Sequence, residues 1–160
     1  MEAYVDSSVI FDSLEDVSNL IGVEKKEDRI AIEKIANLKI GGSIDCYTII
    51  NIEFQIAKDD RQDAIEQKWG KFLVKDIGIG LNTTLKTKYY DPRWERRLGE
   101  LIADRPRDHI DMSIFTQAEY FDIKYIISTD YNFIKHSKDK SKNVEVIRPI
   151  RFVKNYLRLS

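Results

Sequence analysis

The sequence predicts an α/β fold: a three-layer α/β/α sandwich around a mainly parallel central sheet. Two observations predict it. Short apolar runs suited to buried strands recur along the chain, and segments of helical periodicity stand between them. The length agrees, since 160 residues suit one domain with a sizeable core. No linker, repeat or low-complexity tract interrupts residues 1–160, which read as a single domain.

The elements follow in order. "AYVDSSVI" begins as a strand over Ala3 to Val5. Asp6, Ser7 and Ser8 are N-cap residue types, and a helix is expected from Val9 to about Leu20. In the next segment Ile30, Ile32, Ile35, Ala36 and Leu38 form a helical stripe that Gly41-Gly42 ends. "SIDCYTIINIEFQIAK" is a second strand turning into a helix near Thr48 or Ile49, with Glu53 in that helix. "DDRQDAIEQKWGKFLVK" reads as an amphipathic helix with Ala64, Ile65, Trp69, Phe72 and Leu73 inward. Leu85, Thr87 and Tyr89 fit a short strand in an irregular stretch. Pro92 opens another helix. Ile110, Ile114, Ala118 and Phe121 mark the one after it. "KYIIST" is the clearest strand, "VEVI" the last, and a helix follows Pro149. "KHSKDKSKN" reads as a solvated loop.

Composition narrows the function classes. Hydrophobic residues are 42% and charged residues 33%, a soluble globular balance. The formal net charge of -1 gives no global attraction to nucleic acid. No segment reads as a signal peptide or membrane span, so a cytoplasmic protein is expected. One cysteine excludes an intramolecular disulfide, and with two histidines it disfavours a closed zinc site. Any metal would need oxygen ligands.

The carboxylates are the chemically informative residues. In open parallel sheets, ligands gather beyond the carboxyl ends of the strands. Asp6 follows the first strand and Asp130 follows the "YIIST" strand. Glu53 lies in the helix after the second strand, and Asp111 near the start of the helix feeding the Asp130 strand. Right-handed crossovers bring those helix starts to the same edge as the strand ends. Such a cluster needs retained protons or a cation, and hard oxygen ligands suit Mg2+ or Mn2+. The expected chemistry is phosphodiester hydrolysis by metal-activated water. Each acid also has a local explanation. Asp6 suits an N-cap, Asp130 an Asx-turn, Glu53 a buried salt bridge, and Asp108 or Asp111 a helix-dipole partner. Ser8 and Thr129 stand beside two acids and can brace a carboxylate. Arg105 and Arg107 are candidates for backbone phosphates, because Arg matches them bidentately.

"YVDSSVIFD", "TIINIEF" and "DMSIFTQAEYFDIKYIISTDYNF" together resemble the PIN domain, the fold of many small prokaryotic endoribonucleases. Asp6 then matches the family's first aspartate and Ser8 its nearby hydroxyl. Glu53 matches its glutamate, Asp111 its third acid, and Asp130 its last, beside Thr129. Asp108 is an auxiliary ligand or the third acid itself. The resemblance implies a metal-dependent endoribonuclease, with Asp6, Glu53, Asp111, Asp130 and Asp108 around Mg2+ or Mn2+. It further implies RNA as substrate, a homodimer, and an antitoxin protein as partner. The alternative is a non-catalytic PIN-like module that binds RNA or protein. A receiver-like phosphoacceptor domain is the third reading, and no phosphoacceptor and lysine arrangement of that kind is found.

Overall fold

The computed structural model describes residues 1–79, 88–104 and 108–159. It is a three-layer α/β/α sandwich with a five-stranded parallel sheet at its centre. The strands are β1 (Glu2–Val5), β2 (Asp45–Thr48), β3 (Leu73–Val74), β4 (Tyr125–Ile127) and β5 (Glu145–Ile147), in the order β3-β2-β1-β4-β5. β1 is central, pairing Ala3 with both Cys46 and Tyr125. Ala3, Tyr4 and Val5 are all buried, because helices cover both faces of a parallel sheet at its central strand.

The helices are α1 (Ser7–Asp12), α2 (Val23–Ile40), α3 (Ile50–Lys58), α4 (Gln62–Trp69), α5 (Pro92–Asp104), α6 (His109–Phe121), α7 (Tyr131–Ser137) and α8 (Pro149–Leu159). α2 packs on α4 and α8, and α5 packs on α6. From β1 the chain steps outward to β2 and β3, then crosses back to β4 and β5. The crossover makes the carboxyl ends of β1 and β4 a topological switch point, where open sheets form a crevice. Asp6 follows β1 there, and Asp130 follows β4.

Local chemistry explains where the elements depart from expectation. The first helix was expected to reach Leu20, but α1 stops at Asp12 and a short 3-10 turn covers Val17–Asn19. The Ser13 hydroxyl donates to Ile10 O at 2.5 Å and accepts from the Trp69 indole at 2.9 Å. Asp16 caps the 3-10 turn through Ser18 N–H. Side chains that bond local backbone in this way compete with helix propagation. The helix expected to run to Leu73 ends at Trp69, where Gly70 takes φ +68°. The chain then reverses into β3, so Leu73 is exposed and not in the core, as is Ala64. Tyr89 lies in a turn, not in a strand, and Leu85 and Thr87 fall outside the described residues. Residues after Asp130, expected to be a turn and loop, begin with α7. No described helix is long and apolar enough to cross a membrane.

Candidate functional site

Asp6 occupies the switch point and is 3% exposed. Its Oδ1 accepts the Ser7 N–H at 2.9 Å, so it is the N-cap of α1. Its Oδ2 accepts the Ser8 hydroxyl at 3.0 Å and the Ser128 hydroxyl at 2.8 Å. The Ser8 and Ser128 oxygens lie 3.3 Å apart. Ser8 Oγ also accepts the Thr129 N–H, and Ser128 Oγ the Asp130 N–H. Asp6 N–H donates to Ile127 O at 3.0 Å. The carboxylate thus ties the end of β1 to the end of β4 through two serines. Burial raises its pKa, the hydrogen bonds from Ser128, Ser8 and Ser7 oppose the rise, and the Asp130 charge adds to it.

Asp130 is the N-cap of α7, and its Oδ1 accepts from Asn132 N–H at 3.0 Å and Phe133 N–H at 3.3 Å. Phe133 is buried packing. Thr129 does not brace Asp130. Its hydroxyl donates to Asp12 Oδ2 at 2.6 Å. Asp111 sits in the first turn of α6, with Asp108 at that helix's N-cap position. Burial, together with the charges of Asp6, Asp130 and Asp108, pushes the Asp111 carboxyl up to about 8. These four aspartates therefore share one electrostatic field. Glu53 has a different neighbourhood. It accepts the Thr48 hydroxyl at 3.1 Å and lines a separate cavity with Ile56, Ile65 and Phe72. Arg105 and Arg107 lie outside the described residues.

The expected Mg2+ or Mn2+ centre is corrected by this geometry. Among the described residues, no three His, Cys, Asp or Glu side chains form a group that could hold a metal ion. Asp6, Glu53, Asp111, Asp130 and Asp108 are therefore not assembled as a ligand set. The physical reason is that several of the oxygens have other work. Asp6 is turned onto Ser7, Ser8 and Ser128, Asp130 onto the first turn of α7, and Glu53 onto Thr48. The reading as a metal-dependent endoribonuclease, and with it the hydrolase and nuclease assignment, rested on that centre and falls with it.

Three functional-looking residues escaped the sequence reading. Ser128, not Thr129, is the hydroxyl that joins β4 to Asp6. Asp12 receives Thr129 from the far end of α1. Asp76 is buried, and accepts Ile50 N–H at 2.8 Å and Gly78 N–H at 2.7 Å, capping α3 from beyond β3. Only the hydroxyl at position 128, next to a strand end, left a local trace. Asp76 and Asp12 meet their partners through tertiary placement alone. No protein-family model matches the chain, and no curated protein matches it.

Proposed function

We propose that this chain is a non-catalytic, PIN-like module that binds RNA. The PIN-like layout is supported by an Asp after β1, an acid early in α3, an Asp in the first turn of α6 and an Asp after β4. Two acids of that layout serve the fold, Asp6 as a cap and inter-strand tie and Asp130 as a cap.

The observation that carries RNA binding is the charge distribution. Residues 123–160 hold nine Lys or Arg and three Asp or Glu, whereas residues 1–122 hold 17 and 24. A chain with a net charge of -1 thus contains a strongly basic C-terminal region. Lys124, Lys138 and Lys142 line one cavity of about 290 Å3 beside β5, together with Asp139 and Glu145. Arg151 and Lys154 are exposed on α8. Among the described residues, none of these five cations is in an ion pair. Free surface cations on one region form an electrostatic footprint for a polyanion. The aspartates at the switch point repel phosphate, so the RNA path runs over β5 and α8.

Fluorescence anisotropy with a labelled single-stranded RNA, read across a salt series, tests this reading. Binding should weaken linearly on a log–log plot, with a slope of about −2 to −3 for three to four neutralised phosphates. The combined Lys138→Gln and Lys142→Gln variant should lower the slope by about 1 and leave the RNA intact, as the wild type does. Absence of binding at low salt, or an unchanged slope in the variant, would overturn the assignment. So would RNA cleavage that Asp6→Asn abolishes.

A further inference from the structure

The central sheet ends in two edges of opposite character. Beside β5 stand Lys124, Lys138 and Lys142. Edge lysines discourage pairing with a foreign strand. At the other edge, β3 presents Leu73 and Val74, which are 54% and 46% exposed. The inner side of β3 is paired, with Thr48 opposite Val74 and Lys75 N–H donating to Thr48 O at 3.1 Å. Alternation along the strand then turns the N–H and C=O of Val74 toward the outer side. Among the described residues, no strand pairs with that side.

A cavity of about 660 Å3 adjoins this edge, lined by Tyr47, Ile50, Lys75, Lys88, Tyr89 and Phe121 along with the strand itself. It is apolar and aromatic at its base and cationic at its rim. The Lys75 ammonium stands 4.6 Å from the Tyr47 ring centroid and 5.4 Å from that of Phe121. The acid at this cavity, Asp76, is buried and directs its oxygens to Ile50 and Gly78 N–H. Among the described residues that line the cavity, the charges other than Asp76 are therefore the half-buried Lys75 and the exposed Lys88, and they complement carboxylates.

We propose that the β3 edge docks an extended segment of a partner protein, apolar in its middle and acidic at its ends. The segment adds as a strand outside Leu73–Val74, bonding the Val74 amide and carbonyl. One of its apolar side chains enters the aromatic groove, and its carboxylates meet Lys75 and Lys88. Strand addition of this kind draws affinity from main-chain bonds and selectivity from alternate side chains. The surface is separate from the basic region assigned to RNA, so each assignment stands or falls by itself.

The probe is a short fluorescein-labelled peptide of alternating leucine and valine with glutamates at both ends. It should bind the wild-type chain, and it should slow hydrogen exchange at the Val74 amide. Leu73→Gln with Val74→Gln, which removes the apolar contact without changing charge, should weaken it about tenfold, a difference of ~1.4 kcal/mol. Both positions are exposed, so that variant should keep the wild-type melting temperature and RNA affinity. The same peptide N-methylated at alternate amides should not bind, and one with lysine ends should bind more weakly than the glutamate form. Absence of binding overturns the proposal, as does equal binding of the N-methylated peptide or of the variant. Sedimentation velocity supplies a further outcome. A concentration-dependent dimer dissolved by Leu73→Lys would make the occupant a second copy of this chain and overturn the assignment to a partner protein.

Discussion

Asp111 shows how a single side chain reports its surroundings. An exposed helix-start aspartate would ionise near its ordinary 3.8, but burial and three neighbouring aspartates push this carboxyl up to about 8. Between those values the folded chain holds a proton that the unfolded chain has released. Stability therefore falls as pH rises from about 4 to about 8, and is flat above that as far as this group is concerned. Asp6, also raised, acts in the same direction. Asp111→Asn keeps the shape and removes the titration. The variant should match wild type near pH 3.5 and exceed it at pH 8.5 by several kcal/mol, on the order of 4–5 for a shift of this size. Urea unfolding at the two pH values checks this, and parallel wild-type and variant profiles would show that Asp111 ionises normally. The identity of Asp111 as an unusual acid was legible from its place at the head of a helix that feeds a strand. Which carboxyl has its pKa raised most was not, because the cause lies in its burial and in Asp6 after β1, Asp130 after β4 and Asp108 before α6.

At the scale of elements, the helices divide into those whose ends are written locally and those whose ends are not. α7 was readable in principle, since Asp130 is an N-cap residue that bonds the Asn132 and Phe133 amides. α3 is different. Its N-cap position is Ile49, which offers no side-chain bond, and the missing cap comes from Asp76 across β3. Asp76→Ala removes the acceptor for two amides, the half-buried Ile50 and the buried Gly78. The expected cost is about 2 kcal/mol, read as a lower urea midpoint with an unchanged slope. Hydrogen exchange should quicken first in the opening turn of α3. A loss within ~0.5 kcal/mol would mean that water replaces Asp76 without penalty. β3 itself was missed because a two-residue strand leaves no periodicity to detect. Phe72 and Leu73 fit the spacing of the preceding helix until Gly70 is seen to turn the chain.

For the molecule as a whole, closure depends on α8 returning to α2. Asp28 and Arg148, 120 residues apart, are joined by two hydrogen bonds from Arg148 Nε and Nη2 at 3.0 and 2.8 Å. The second Asp28 oxygen takes Ile150 N–H at 3.2 Å, in the first turn of α8. Phe152 packs beneath, edge-on to Tyr125 of β4. Arg148→Met should cost about 2 kcal/mol, since it strips charge compensation from a carboxylate that stays largely buried. Thermal unfolding should remain one transition, with faster exchange in α8 at lower temperature. Unchanged exchange there would mean that packing alone seats the helix.

The sequence by itself determined the parallel α/β frame, because apolar strand runs, helix stripes and punctuating Gly and Pro are short-range signals. It also determined that an acid stands directly after β1 and another three residues beyond the end of β4. Only the tertiary structure decided what those acids do. Their partners are Ser128 for Asp6 and the first turn of α7 for Asp130, while Glu53 accepts the Thr48 hydroxyl. Whether carboxylates join around an ion or turn to separate donors is a matter of ångströms and orientation. Those are fixed by strand register and helix packing over separations of up to 122 residues. No local pattern of residues encodes them.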